Sequence, residues 1–387
     1  MALKTGRGAE APPFLVMDVI AAANARAAVL PPGAVLRMEV GQPGNGAPRG
    51  AAEAAIRALQ AGDPMGYTEA FGLASLRARI ARHYADRYGV AVAASRIAVT
   101  VGASGAFPLA FLAAFDAGDR VAMAAPFYPP YANILTALGM FPQLLPCDAG
   151  TRFQPTVEML ERLDPLPDGL IVASPCNPAG TMLAPEALAG IARWCHANGV
   201  RLVSDEIYHG LSWGSVAEST AAAFSDSAIV VNSFSKYFCM TDWRIGWLLL
   251  PEDLCRPVER LAQNLFISAP HIAQVAAEAA FACAPELEAN KDGYRRARAA
   301  LLTGLPAVGF DRIAEADGAF YLWCDIGQLS NDSPDFCARM LQGAGIAATP
   351  GVDFDRDRGH RFLRFSYCGA EAAMIQAPAR LQAWLGD

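Results

Sequence analysis

Ile229-Val230-Val231-Asn232-Ser233-Phe234-Ser235-Lys236-Tyr237-Phe238-Cys239-Met240, continuing through Thr241-Asp242-Trp243-Arg244 into Ile245-Gly246-Trp247-Leu248-Leu249-Leu250, is the stretch on which the fold turns. Two apolar strand-like runs flank it, and only 12 residues separate Asn232 from Ile245. That connection is too short for a helical crossover between parallel strands. The run at Ile245 is therefore expected to lie antiparallel to its predecessors. Upstream the pattern differs. Short apolar runs at Ile97–Val101, Val121–Ala124, Gln143–Pro146, Leu170–Ala173 and Arg201–Ser204 alternate with helical stretches at Ser104–Phe115, Pro130–Leu138, Val157–Leu163 and Pro185–Asn198. Strands that are almost wholly apolar are those covered on both faces. The alternation predicts an α/β fold: a mostly parallel seven-stranded sheet with helices on both faces.

Beyond Pro285 the order changes to helix (Glu286–Leu302), strand (Ala319–Cys324), helix (Pro334–Gly343) and strand (Phe362–Ser366). This suggests a smaller α+β domain over residues 285–387, following a large domain over 46–284. Residues 1–45 carry a helical stretch (Phe14–Ala28), a Pro-Pro-Gly break and the loop Gly41-Gln42-Pro43-Gly44. They are expected to pack with the small domain.

The composition narrows the function. The 387 residues are 53 % hydrophobic, with a net charge of -7 and no basic cluster, so nucleic acid has no electrostatic footprint here. No apolar run approaches the roughly 18 residues needed to span a bilayer. The start, Met1-Ala2-Leu3-Lys4, lacks a following apolar segment of the secretory kind. Nine scattered cysteines without a C-x-x-C pair read as reduced thiols of a cytoplasmic protein, and neither they nor the five histidines show metal-ligand spacing.

Among three lysines, Lys4, Lys236 and Lys291, the second follows directly on an apolar strand. A desolvated amine loses its proton readily and attacks carbonyls. A structural lysine that snorkels to water is the plain alternative.

Open parallel sheets gather ligands at the carboxyl ends of their strands. After the first strand comes Gly102-Ala103-Ser104, small residues opening a helix, suited to an anion or simply to a tight turn. Tyr128 follows the second strand and could stack on a flat ring or pack in the core. Asn177, between Pro175 and Pro178, could aim an amide or only turn the chain. Asp205, followed by Tyr208, puts a carboxylate at the end of an apolar strand, where it needs a partner such as a protonated ring nitrogen. Ser233-x-x-Lys236 also matches the S-x-x-K of serine β-lactamases, but neither S-D-N nor K-T-G is present.

The ordered set Gly66-Tyr67-Thr68, Gly102-Ala103-Ser104, Asn177-Pro178-x-Gly180, Asp205-Glu206-x-Tyr208, Ser233-x-Ser235-Lys236 with Arg244, and Arg364-Phe365-Ser366 resembles the class I/II aminotransferases, pyridoxal-phosphate enzymes of the aspartate-aminotransferase fold. The match runs from about Gly41 to Ser366. The resemblance implies that Lys236 holds pyridoxal 5'-phosphate as an aldimine and then acts as general base and acid. It implies that Asp205 keeps the ring nitrogen protonated and that Asn177 and Tyr208 bond the ring's phenolic oxygen. Tyr128 would stack on the ring. Gly102, Ala103, Ser104, Ser233 and Arg244 would hold the phosphate, and Tyr67 would reach that of the neighbouring subunit in a homodimer. Arg364 would grip the substrate carboxylate, and the loop at Gly41 would line the substrate side.

No second arginine is clearly placed for a dicarboxylate; Arg7, Arg26 and Arg37 are candidates. The expected activity is transfer of the α-amino group of a small or hydrophobic/aromatic L-amino acid to a 2-oxo acid. The alternatives are a β-lyase of the C-S lyase type or an aspartate-preferring aminotransferase. A regulator's effector domain is disfavoured because the pattern begins by about residue 40.

Overall fold

The structure, a computed structural model, describes residues 3–386; Met1, Ala2 and Asp387, together with the side chain of Arg7, lie outside the described residues. Seven strands form the large sheet: β1 (Ile97–Thr100), β2 (Arg120–Ala125), β3 (Phe141–Pro146), β4 (Gly169–Ala173), β5 (Arg201–Asp205), β6 (Ile229–Ser233) and β7 (Gly246–Leu249). Their spatial order is β1-β7-β6-β5-β4-β2-β3. All neighbours are parallel except β7, which runs antiparallel to both β1 and β6. The short link after Lys236 thus has the expected consequence, and the fold class read from the sequence holds.

Each strand feeds two cores, because successive side chains point to opposite faces. Ile229 and Val231 of β6 join Phe107, Phe111 and Val258 on one face. Val230, between them, joins Leu76, Ile80, Leu188 and Ile191 on the other. The first face is covered by helices Gly102–Ala114 and Glu252–Leu265 and the second by Ala74–Tyr88, Pro185–Ala197 and His271–Ala280. The expected helix Val157–Leu163 forms only over Val157–Leu160, capped by the Thr156 side chain. Helices Arg49–Gln60, Ala74–Tyr88, Glu252–Leu265 and His271–Ala280 were not anticipated. Two of them carry signals that mislead: Ala74–Tyr88 is strongly polar, and Pro257 lies inside Glu252–Leu265.

The second sheet comprises β8 (Arg312–Ile313), β9 (Tyr321–Asp325), β10 (Thr349–Pro350) and β11 (Phe362–Ser366), antiparallel in the order β10-β11-β9-β8. The N-terminal segment is stitched to it. Leu36 and Arg37 pair in parallel with Ile346 and Ala347, and Ser366 N donates to Met38 O at 2.7 Å. Helix Val16–Ala28 is tied to the same region by Arg26, whose Nη2 donates to Gln342 O at 3.1 Å. No helix among the described residues is long and apolar enough to cross a membrane, and no group of His, Cys, Asp and Glu among them could hold a metal ion.

Candidate active site

The segments following β2, β4 and β6, the end of β5, and Tyr321 and Arg364 of the small sheet converge on one cavity of about 150 Å³. Tyr128, Asn177, Asp205, Tyr208, Lys236, Gly41 and Arg364 all line it. The sequence singles out Tyr128, Asn177, Asp205, Tyr208 and Lys236 at strand ends, and Gly41 and Arg364 through the family resemblance, from segments up to hundreds of residues apart.

Lys236 is half-buried, and its Nζ donates to Gly41 O at 2.7 Å. Burial, reinforced by the nearby Arg364 and Arg244 charges, lowers its pKa from the ordinary 10.5 to about 8. Asp205 ends β5 with a fully enclosed carboxylate. Tyr131 Oη donates to its Oδ2 and Ile207 N to its Oδ1. Burial raises its pKa to about 6, since neither donor carries a positive charge to offset lost water. No ion pair of Asp205 is present among the described residues. A buried carboxylate held by neutral donors and facing a cavity is suited to a cationic N–H from a ligand.

Asn177 Oδ1 accepts from Arg364 Nη1 at 2.7 Å. Arg364 is only 2 % exposed. Its Nη2 donates to Glu39 O at 2.5 Å and Thr349 Oγ1 at 3.2 Å, and its guanidinium lies 4.3 Å from the Tyr321 ring and 4.6 Å from Phe354. Its Nε finds no hydrogen-bond partner, and no carboxylate of the described residues pairs with it. An enclosed guanidinium gripped only by neutral groups keeps its charge for an incoming anion.

A second cluster holds the phosphate candidates. Arg244 stands in the left-handed region (φ 51°), donates from Nη1 to Thr241 O at 2.8 Å and reaches Ser104 Oγ from Nη2 at 3.3 Å. Gly102, at φ +65°, opens the helix directly beside it; a Cβ there would lie 2.5 Å from Arg244 Nη2. Free N–H groups of a helix start, a serine hydroxyl and an arginine on one spot suit a phosphate. Ser233 turns inward: its hydroxyl contacts Ile245 O at 3.2 Å and Ser235 Oγ at 2.9 Å. Tyr67 stands apart from this chain's own cavity, 84 % exposed.

Several cavity residues escaped the sequence reading. Tyr131, three residues after Tyr128 at the start of its helix, reaches Asp205. Tyr321 of β9 bonds Tyr208 hydroxyl to hydroxyl at 2.8 Å and lies so close to Gly41 that a Cβ there would come within 1.7 Å of its Oη. The far wall is apolar: Phe14, Val16, Met17 and Ile20, from the helix Val16–Ala28 and the residues before it. Only inward alternation on a strand or a helix face could have pointed to these, and it does not say toward which ligand. Of the arginines considered for a second carboxylate, Arg26 bonds Gln342 O, and Arg37 pairs with Glu39 at 2.6 Å. Arg7's side chain lies outside the described residues.

The family model for "Aminotransferase class I and II" matches residues 34–380. The chain is 48 % identical over 379 residues to a valine–pyruvate aminotransferase of Mycobacterium tuberculosis, spanning 97 % of this chain and 96 % of that one. It superposes on the crystal structure of an aminotransferase from Mycobacterium tuberculosis with a TM-score of 0.97 at 45 % identity, covering 100 % of both chains. An aspartate aminotransferase from Thermus thermophilus crystallised with maleate matches at a TM-score of 0.91 and 30 % identity, over 99 % of this chain and 100 % of that one. The chain belongs to the class I and II aminotransferases, and it is an enzyme that transfers amino groups.

Proposed function

We propose that the enzyme uses pyridoxal 5'-phosphate to move the α-amino group of a small or hydrophobic L-amino acid, aromatic ones included, to a 2-oxo acid. The observation that carries this reading is the buried Arg364 guanidinium, without a carboxylate partner among the described residues, on the same cavity as a lysine whose pKa lies near 8. The donor set suits the cofactor. Gly102, Ala103, Ser104 and Arg244 would take its phosphate, with Ser233 shaping the turn behind them. Asp205 would pair with its ring nitrogen, Asn177 and Tyr208 would bond its phenolic oxygen, Tyr128 would lie against its ring, and Lys236 would hold it covalently. Bound there, pyridoxal phosphate supplies an aldehyde that takes up amino groups and a ring that stores the electron pair left at the α-carbon.

The protein's part is positioning and proton transfer. Arg364 would fix the substrate carboxylate as a planar fork on the cavity that Lys236 also lines. The Lys236 amine, neutral in good part near its pKa of about 8, removes the proton of the α-carbon and later returns one. The apolar wall of Phe14, Val16, Met17 and Ile20 accepts an uncharged side chain. The valine–pyruvate relative supports the same donor class.

A homodimer in which Tyr67 reaches the partner's site is part of the reading. It is supported by Tyr67 at 84 % exposure and by the exposed run Leu265-Phe266-Ile267; Thr68 N contacts Ser268 Oγ at 3.4 Å. We further assign residues 46–284 to the cofactor domain, residues 285–387 to the small domain and residues 1–45 to a segment packing on the latter, in a cytoplasmic enzyme without metal, membrane or nucleic-acid partners.

The test is the visible spectrum of the cofactor-loaded protein on addition of single amino acids without acceptor. Bleaching with alanine, valine or leucine is expected. No response to any amino acid overturns transamination. Pyruvate and ammonia released catalytically without acceptor would assign a β-lyase.

A further inference from the structure

Asp353 is a buried carboxylate, 8 % exposed, in the turn that follows β10. Its Oδ1 accepts from Leu15 N at 2.9 Å and its Oδ2 from Val16 N at 3.2 Å, across 338 and 337 residues of chain. These two N–H groups begin helix Val16–Ala28, which has no side-chain cap of its own. A helix start has free donors and a partial positive charge, so a carboxylate is the suitable partner. Both oxygens are used, which fixes the helix in position and in rotation about its axis.

That helix, with Phe14 before it, is the apolar wall of the cavity. The segment carrying Asp353 also holds the opposite pole. Thr349 pairs with Arg364 across β10 and β11, and its hydroxyl accepts from Arg364 Nη2 at 3.2 Å while donating to Glu39 O at 2.7 Å. Phe354, the next residue after Asp353, lies against the guanidinium at 4.6 Å. One six-residue stretch, 349–354, therefore touches the carboxylate fork through Thr349 and Phe354 and the helix that carries the side-chain wall through Asp353.

Building on the function proposed above, we infer that Asp353 is a specificity-determining positioning residue. It sets the distance between the Arg364 fork and the wall of Phe14, Val16, Met17 and Ile20. An amino acid held by its carboxylate at Arg364 shares the cavity with that wall, and a branched or longer apolar side chain has more surface to set against it. Asp353 thereby favours branched and longer apolar substrates over alanine, although it does not touch the substrate.

The experiment compares the cofactor-loaded parent with Asp353→Ala and Asp353→Asn. Steady-state kcat and KM are measured for alanine, valine and leucine, and amide hydrogen exchange is followed at residues 14–20. Losing an N-cap of this kind weakens helix seating by an amount that corresponds to roughly a five- to tenfold change. The expected result for Asp353→Ala is a five- to tenfold fall in the valine-to-alanine and leucine-to-alanine ratios of kcat/KM, carried by KM, with faster exchange at Leu15 and Val16. Asp353→Asn, which keeps one acceptor, should fall between. Unchanged ratios with faster exchange would reduce Asp353 to a structural cap and overturn the proposal, as would exchange no faster than in the parent. A parent that turns over none of the three amino acids overturns the specificity assigned to Asp353, and the function reading falls too only if no other amino acid bleaches the cofactor; the exchange data separately report whether Asp353 holds the helix.

Discussion

The floor and the roof of the cavity are built by different means. The floor consists of Tyr128, Asn177, Asp205 and Lys236, each within three or four residues of the carboxyl end of a large-sheet strand. The parallel ladder fixes where those ends fall, so each residue is placed by its own local segment. The roof is assembled from Phe14 to Gly41, from Tyr321 and from Thr349 to Arg364, held together by contacts such as Arg364 to Glu39 O and Tyr321 to Gly41. None of its members is placed by local sequence. The floor is thus fitted to chemistry common to many substrates, whereas the roof is where a change of a few side chains can alter which substrate is held.

The comparison can be tested by effect size. On the floor, Lys236→Ala should lower kcat by roughly 10⁴-fold or more, since it removes both attachment and proton transfer, with the fold intact by circular dichroism. Substantial turnover in that variant would move the chemistry elsewhere. On the roof, Arg364→Lys keeps the charge and loses the planar fork. It should raise KM for every amino acid by roughly 10- to 100-fold, the worth of one charge-assisted hydrogen-bond pair, with a smaller effect on kcat. An unchanged KM would remove Arg364 from carboxylate binding.

The boundary between subunits gives a smaller effect. Tyr67→Ala should weaken activity about tenfold, the worth of one hydrogen bond to a charged group. Mixed with Lys236→Ala under conditions that exchange subunits, it should regain activity beyond the sum of the two, because one site of the hybrid then holds both an intact lysine and the partner's tyrosine. Mere additivity would argue against a shared site.

A further expected effect falls on stability and leaves turnover aside. Lys236 has an ordinary pKa of 10.5 and one of about 8 in the fold, lowered first by burial. Between those values the unfolded chain binds a proton that the folded chain lacks, so stability rises with pH over that range. The cofactor-free protein should therefore gain denaturation midpoint relative to Lys236→Met as pH goes from about 8 to 10.5. A pH-independent difference would mean that the ammonium is not desolvated.

This contrast also explains what could be read in advance. The antiparallel β7 was legible because a 12-residue connection is too short for a comfortable helical crossover. Asp205 and Lys236 were legible because a charged residue at the end of an apolar strand, or within a few residues of it, needs a reason. Tyr131 sits in the same strand-end segment as Tyr128, but nothing in the spacing says that its hydroxyl turns to Asp205. Tyr321 looks like any inward residue of a buried strand; its importance comes from Gly41 and Tyr208, which reach it from two other segments. Val16 and Ile20, four residues apart, share one face of their helix, but the start of that helix is held by Asp353, more than 300 residues away. Such trans contacts leave no periodic trace in the chain.

The central claim is that Lys236, and no other amine, carries the cofactor. The chain has only three lysines, which makes the measurement decisive. The protein is incubated with pyridoxal 5'-phosphate, reduced with borohydride, digested and mapped by peptide mass spectrometry. The account predicts one stoichiometric pyridoxyl adduct on Lys236, lost when a donor amino acid is added before reduction. An adduct on Lys4 or Lys291 instead, or no adduct at all, would contradict it.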